Sequence, residues 1–429
     1  MVAKAAPEVG RQANARRALS VVIGLEGLAL GGCPINALDL GRSLRASGHR
    51  VSVFAIDEDV KVSLLPYAAS CGFDPRVLPS EGGVVGRARQ IRSFAEEVDA
   101  DVVHVFGPWL GPAASIAAAT RTKQVAVVTN WTMENVYFTP RYTPMIVGTN
   151  RLAEDLRSRW PGQVWLMEPP VDLVADSSDP QRGFAFRSEY GLTGDVVVAV
   201  VVTRVDAHMK AESLTYAIEA CARLANPRLR LVIVGDGDAF PAIHRLAMAV
   251  NRQLGWTGVV LTGALTDPRG AYDAADICLG MGGSALRALA HGKPLVVLGE
   301  NGFARPFDPS TTSYFYQVGF FGAETQLDPV GHLAREVDRL VGSRDREALG
   351  SFGLNEVRRR FGLEVMTARL ERIYHDSLAS MPSRTVRLTD AVYVMARTLA
   401  HQARQAVDRR VRGVGRTSVS GASPGPHDD

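Results

Sequence analysis

The sequence predicts an α/β protein made of two similar halves, each a parallel, doubly wound sheet with helices on both faces. Three observations predict it. Short, nearly continuous runs of Val, Ile and Leu alternate with segments of helical periodicity, the pattern of strands buried on both faces. The alternation occurs twice, on either side of a break at Glu168-Pro-Pro170 and an Asp-, Ser- and Pro-rich stretch over 172–182. Glycine-bearing turns follow several of the apolar runs. A chain of 429 residues has room for two or three domains of ordinary size.

The elements follow in order. Residues 1–18 are expected to form a flexible arm. Leu19–Gly24 is an apolar, β-rich run and the first strand. Its continuation to Leu30 is interrupted by Glu26, so we read a buried strand rather than a signal peptide. A glycine turn leads into a helix carrying Ile35, Leu38 and Leu44, which Gly48 ends. Arg50–Ala55 is the next strand, completing one βαβ unit. Asp101–Phe106, Val125–Val128 and Met145–Gly148 are further strands of a first domain spanning 19–171. The second domain, 183–380, opens with the strand Asp195–Val202 and a helix over about 212–225. Leu229–Val234, Val259–Thr262, Ile277–Leu279 and Leu295–Leu298 continue its sheet. A polar, Arg-rich helix over 355–380 closes it. Residues 381–412 form a basic helix with Leu388, Val392, Met395, Leu399 and Ala403 near one face. From Gly413 to 429, Gly, Ser, Pro and Asp predict a disordered tail.

Charge narrows the partners. The net charge is +3, but the arm is basic and 384–416 holds eight arginines against Asp390 and Asp408. The body is therefore mildly acidic, which argues against nucleic acid as a partner. Cys33, Cys71, Cys221 and Cys278 are scattered without metal-ligand spacing and read as reduced thiols of a cytoplasmic protein. No apolar run reaches the length of a spanning helix. No Asp-rich metal motif stands out, and neither a metal nor a cofactor is expected.

Three segments combine residues that handle phosphate. Gly31-Gly32 precedes the first helix, where glycine lets backbone amides approach an anion at a helix start; a plain strand-to-helix turn explains it equally. Thr203-Arg-Val-Asp-Ala-His-Met-Lys210 leaves the end of the long strand 195–202. Arg204 and Lys210 on one short loop suit a diphosphate, the first as a planar fork and the second as a point charge. Gly280-Met-Gly-Gly-Ser-Ala285 ends another strand and opens a helix near Ser284, so that the amides of Gly282, Gly283, Ser284 and Ala285 face an anion; Ser284 alternatively serves as a simple N-cap. Gly235 follows strand 229–234, as a binding turn or a plain one. Glu300 follows strand 295–298 and is placed to accept from sugar hydroxyls or to sit solvated. On the first half, His104, Asn130, Trp131 and Glu134 lie at strand ends, with packing the competing reading for His104 and Trp131. The loops 57–92 and 107–116, with Trp109, are placed to shape a small-molecule pocket.

In this order the segments resemble the GT-B glycosyltransferases, most closely the retaining group numbered family four. Gly31-Gly32 with Asn36–His49 is similar to that family's amino-terminal loop and helix. Arg204 and Lys210 are similar to its pair that holds the donor diphosphate. Leu231–Gly237 resembles its nucleotide-side turn, and Ala288–Val297 the segment after its acidic donor motif. The resemblance covers about 19–378. It implies two Rossmann-like domains facing a central cleft, the second binding a nucleotide-sugar donor and the first an acceptor. It further implies metal-independent transfer with retained anomeric configuration, in which Arg204 and Lys210 are the catalytic cations. The acceptor is left as a small molecule, a glycan or a lipid-linked sugar, the last through peripheral membrane contact of 384–412.

Two positions depart from the pattern. Where the family carries the second of two glutamates, this chain has Arg287, a cation suited to phosphate or carboxylate rather than to ribose hydroxyls. The family's amino-domain histidine is replaced by Trp131. These departures keep open a non-catalytic GT-B protein that binds or activates a partner. A nucleotide-sugar epimerase or hydrolase using Glu134 and Glu300 is the other alternative.

Overall fold

The computed structural model describes residues 17–60, 62–121, 123–132, 141–207 and 210–411. The first sheet holds β1 (Ser20–Leu25), β2 (Arg50–Ile56), β3 (Arg76–Leu78), β4 (Val102–Phe106), β5 (Val125–Asn130), β6 (Met145–Val147) and β7 (Val164–Leu166). Around it lie α1 (Gly32–Ala46), α2 (Leu65–Ser70), α3 (Gly83–Glu97), α4 (Gly111–Ala119) and α5 (Asn150–Arg159). The strand order is β3-β2-β1-β4-β5-β6-β7, and every pairing is parallel. Both faces are covered. Val21, Ile23 and Leu25 of β1 enter one core and Val22 the other, which is why the strand reads as an unbroken apolar run.

The second unit repeats the plan. Its strands are β8 (Val197–Val202), β9 (Leu229–Val234), β10 (Val259–Gly263), β11 (Ile277–Gly280), β12 (Leu295–Leu298) and β13 (Ala304–Pro306). They lie in the order β10-β9-β8-β11-β12-β13, with only β13 antiparallel. Its helices are α6 (Pro180–Glu189), α7 (Ala211–Leu224), α8 (Phe240–Leu254), α9 (Arg269–Ala274), α10 (Gly283–Ala290), α11 (Thr312–Val318), α12 (Pro329–Gly342) and α13 (Arg346–Arg360). A few helix starts carry side-chain caps. Asp179 accepts from the Gln181 and Arg182 amides at α6, and Asp328 accepts from Gly331 at α12; each satisfies an orphan donor.

One boundary differs from the sequence expectation. Residues 363–379, placed with the second unit by their position, form α14 (Leu363–Ala379) and pack on the first sheet. Leu363, Met366, Leu370, Ile373 and Tyr374 share a core with Val21, Ile23 and Leu25. The chain thus crosses between units twice, and the crossings are joined. The Val171 amide donates to Phe361 O at 2.8 Å and the Leu363 amide to Val171 O at 2.9 Å. Beside them Glu168, buried, is paired with Arg360 and, at 3.3 Å, with Arg369.

The last helix, α15 (Arg384–Val411), docks on the first unit. Arg387 donates to the carbonyls of Ala118, Arg121 and Gln124, capping the end of α4. Asp390 accepts from the amides of Arg141 and Tyr142. Ala391, Val394 and Thr398 are buried, whereas Leu388, Val392 and Leu399 are exposed. The stripe singled out from the sequence is therefore the solvent face of the helix. Its docked face is made of smaller residues.

Candidate active site

In an open parallel sheet, ligands bind beyond the carboxyl ends of the strands where the winding reverses. In the second unit that point lies between β8 and β11. The loop after β8 carries Arg204 and Lys210; the loop after β11 carries Gly282 and Gly283.

The Arg204 loop is held by its neighbour. A Cβ on Gly235, which sits at φ +143°, would lie 1.8 Å from Thr203 O, and one on Gly237 would lie 2.2 Å from Val205 O. Only glycine admits this approach. Two hydrogen bonds fix the contact, Thr203 N to Val234 O at 3.0 Å and Val205 N to Asp236 O at 3.1 Å. Gly235 therefore acts as a support for the arginine loop.

Arg204 is exposed and Lys210, at the start of α7, is half-buried. Burial pulls the Lys210 ammonium below its ordinary range; Arg204 adds to this, while Asp206 and Glu300 oppose it. The four groups thus form one electrostatic cluster. A cation weakened by desolvation and by a like charge gains from an incoming anion.

At α10 the N-terminal residues Gly282 and Gly283 are exposed, and a Cβ on either would meet nothing within 4 Å. The helix start opens on free space, but the Gly282 amide, singled out from the sequence as an anion donor, is taken: it donates to Phe320 O at 2.7 Å, which leaves anion binding to the amides from Gly283 onward. Ser284 is not the N-cap: Gly282 holds that position without a side-chain cap, and the Ser284 hydroxyl donates to Met281 O at 3.0 Å. Ala285 is buried.

The first unit faces this loop. A Cβ on Gly31 would sit 3.4 Å from Arg204 Nη2, while one on Gly32 would meet nothing within 4 Å. The structure thus brings Gly31 to Arg204 and sets Lys210 within the electrostatic reach of Arg204 and Glu300.

Other positions are elsewhere. His104 does not reach the cleft. It lies within β4, fully buried, with Nδ1 and Nε2 each 2.7 Å from Tyr374 Oη and Thr129 Oγ1. Burial pushes it down to about 3, so it is a neutral core group tying α14 to the sheet. Trp131 packs against Phe106 and donates from Nε1 to Met167 O at 2.8 Å. Asn130 is buried and accepts from Thr132. Glu134 lies outside the described residues.

Arg287 turns to the interdomain linker. Its Nε is 3.4 Å from Asp176 Oδ2. Burial works against its charge, but Asp176, Tyr272 and Asp39 hold the guanidinium above its ordinary range. Asp176 also lies 4.0 Å from His291, which bonds Asp273 at 2.7 Å. Sequence reasoning missed this partner, because Asp176 lies in a stretch that reads only as linker. It also passed over Glu26, whose one signal was a carboxylate directly after a buried strand.

Two family models match the chain. One, described as a glycosyl transferase 4-like domain, covers residues 31–168; the other, described as glycosyl transferases group 1, covers 197–319. The chain belongs to the GT-B glycosyltransferases. Solved structures share the fold. A glycosyltransferase from Rickettsia africae superposes with a TM-score of 0.66 at 14% identity, over 85% of this chain and 100% of that one. Anabaena Alr3699/HepE in complex with UDP gives 0.65 at 13%, over 83% and 100%. The pneumococcal O-GlcNAc transferase GtfA, in complex with UDP and GlcNAc, gives 0.60 at 11%, over 84% and 99%. Among curated proteins none matches significantly. In this glycosyltransferase the first matched segment begins at Gly31 and the second contains the Arg204–Lys210 loop near its start.

Proposed function

We propose that the enzyme transfers a sugar from a nucleoside-diphosphate sugar to a hydroxyl acceptor, with retention and without a metal ion. The observation that carries this reading is the pair Arg204 and Lys210 at the switch point of the second sheet, with Arg204 beside Gly31 of the first unit. As the bond to the anomeric carbon breaks, negative charge grows on the departing diphosphate. Arg204 and Lys210 offset it from fixed positions, and the open amides of α10 add to the same field. Neighbouring folds bound to UDP support a uridine nucleotide as the first donor to try.

The acceptor is a small molecule, a glycan or a lipid-linked sugar, bound by the first unit. No helix among the described residues is long and apolar enough to cross a membrane. The exposed Leu388, Val392 and Leu399 on the basic α15 support peripheral contact with an anionic surface from the cytoplasmic side.

Calorimetry with UDP and UDP-glucose tests the donor site. The wild type should bind, and Arg204→Ala and Lys210→Ala should each weaken binding about tenfold or more. Equal affinity in both variants would remove the clamp from the mechanism.

A further inference from the structure

Helix α15 has two faces of different character. Its inner face is docked on the first unit through Arg387, Asp390, Ala391, Val394 and Thr398. Its outer face holds Leu388, Val392, Leu399 and Ala403. At 3.6 residues per turn these four fall within about 60° of one another, in a stripe about 22 Å long. Val392 is 61% exposed, Leu399 47% and Leu388 37%. A continuous exposed stripe of this kind marks an interaction surface.

The charges around the stripe are of one sign. Over 384–404 the basic residues are Arg384, Arg387, Arg397 and Arg404, and the only acid is Asp390. Asp390 is buried and turned inward, accepting from the amides of Arg141 and Tyr142. Arg387 is occupied by the carbonyls at the end of α4. Arg384, Arg397 and Arg404 are exposed. By helical position Arg384 borders the stripe on one side, and Arg397 and Arg404 border it on the other. Tyr393, also exposed, lies along the second border. Its ring has the guanidinium of Arg397 at 5.7 Å and that of Arg141, from the first unit, at 5.6 Å. Its hydroxyl accepts from Arg397 Nη1 at 2.9 Å. The cationic border thus continues from the helix onto the unit that carries it.

We propose that this face lies in the plane of an anionic bilayer, with Leu388, Val392, Leu399 and Ala403 among the upper acyl chains and Arg384, Arg397, Arg404 and Arg141 at the lipid phosphates. The inference rests on the peripheral contact proposed above and names the residues that seat it. Arginine stems run along an apolar face while their heads stay at the phosphates, and tyrosine suits the same depth. No helix among the described residues, α15 included, is long and apolar enough to cross a membrane, so this one lies along it. A second copy of the chain fits the face poorly, because pairing would bring two cationic borders together. The bilayer then holds the first unit, the half proposed to bind the acceptor, against its surface.

The test is flotation of the full chain with vesicles of equal parts phosphatidylglycerol and phosphatidylcholine, and with vesicles of phosphatidylcholine alone. The wild type should float with the anionic vesicles, stay behind with the neutral ones and be released as salt rises. Val392→Ser combined with Leu399→Ser should weaken anionic-vesicle binding about tenfold or more. Arg397→Gln and Arg404→Gln should each weaken it about fivefold. Every substituted side chain is exposed, so each variant should melt with the wild type by circular dichroism. Wild-type protein that ignores anionic vesicles overturns the proposal together with the peripheral contact. Vesicle binding that survives these substitutions keeps the peripheral contact and overturns its assignment to α15. Equal binding to neutral vesicles, unmoved by salt, overturns the role of the arginines. A dimer that Val392→Ser with Leu399→Ser dissolves, without vesicle binding, gives the face to a second copy and also overturns the proposal. UDP binding plays no part in this readout, so a failed donor site leaves the outcome unchanged.

Discussion

Gly31→Leu isolates the role of Arg204 without touching the arginine. Gly31 is the N-cap of α1 with φ −165° and ψ 170°, an extended conformation open to any residue, so the exchange adds no backbone strain. Its Cβ would meet Arg204 Nη2 at 3.4 Å and Pro34 Cδ at 3.8 Å. The first contact is tolerable, but the rest of a leucine occupies the space of the guanidinium. Arg204 is exposed and will swing aside. The lost interaction with the diphosphate is a charge-assisted one, worth about 1.5–3 kcal/mol, or roughly a 10- to 150-fold weaker Kd. Stability should change by about 0.5 kcal/mol or less, as for surface substitutions generally. Calorimetry with UDP measures the affinity, and urea unfolding checks the fold. Gly32→Ala is the control, because its Cβ meets nothing within 4 Å. Wild-type affinity in a folded Gly31→Leu would refute the placement of Arg204 at the diphosphate. An equal loss in Gly32→Ala would show that the turn, not the arginine, matters.

Lys210 gives the donor site a pH signature: burial lowers its pKa and a bound anion raises it. UDP affinity should therefore hold below the lowered value and fall as pH rises through it, with proton uptake seen by titration in buffers of different ionisation heat. Lys210→Arg should carry the affinity to higher pH. Glu26 has the opposite consequence for stability. The fold keeps its proton up to about 7 rather than 4.5, so stability should fall as pH rises through that window, by up to about 3 kcal/mol; Glu26→Gln should remove the slope in urea titrations at pH 5 and pH 8. Asp273 is fully enclosed and accepts from the Asp179 amide, Arg182 and His291. Asp273→Ala should cost about 3–5 kcal/mol by leaving buried partners unpaired. Tyr374→Phe should cost about 1–3 kcal/mol, because it strands the buried His104 Nδ1.

The legible parts of this protein were local. Two βαβ series are visible because their central strands, such as β1 and β8, are apolar on both faces, and Arg204 and Lys210 stand out because they follow such a strand directly. His104 misled because it lies within β4 rather than past it, and alternation turns its ring into the core. The membership of α14 was invisible, since an amphipathic stripe carries no record of which sheet it covers. The docked face of α15 was hidden for a related reason. Its small and polar residues fit the edge of α4 closely, whereas the larger Leu388, Val392 and Leu399 drew attention to the outer face. Arg287 declared its charge but not its partner, because Asp176 comes from a segment more than 100 residues away.

The paired crossing at Val171 and Gly362 makes the second unit a guest inserted in the first, entering and leaving through adjacent points. Synthesis then imposes an order. When the ribosome has passed residue 361, the guest has all its strands, while the host still lacks the helix that supplies Leu370, Ile373 and Tyr374 to its core. The host half, begun first, is finished last.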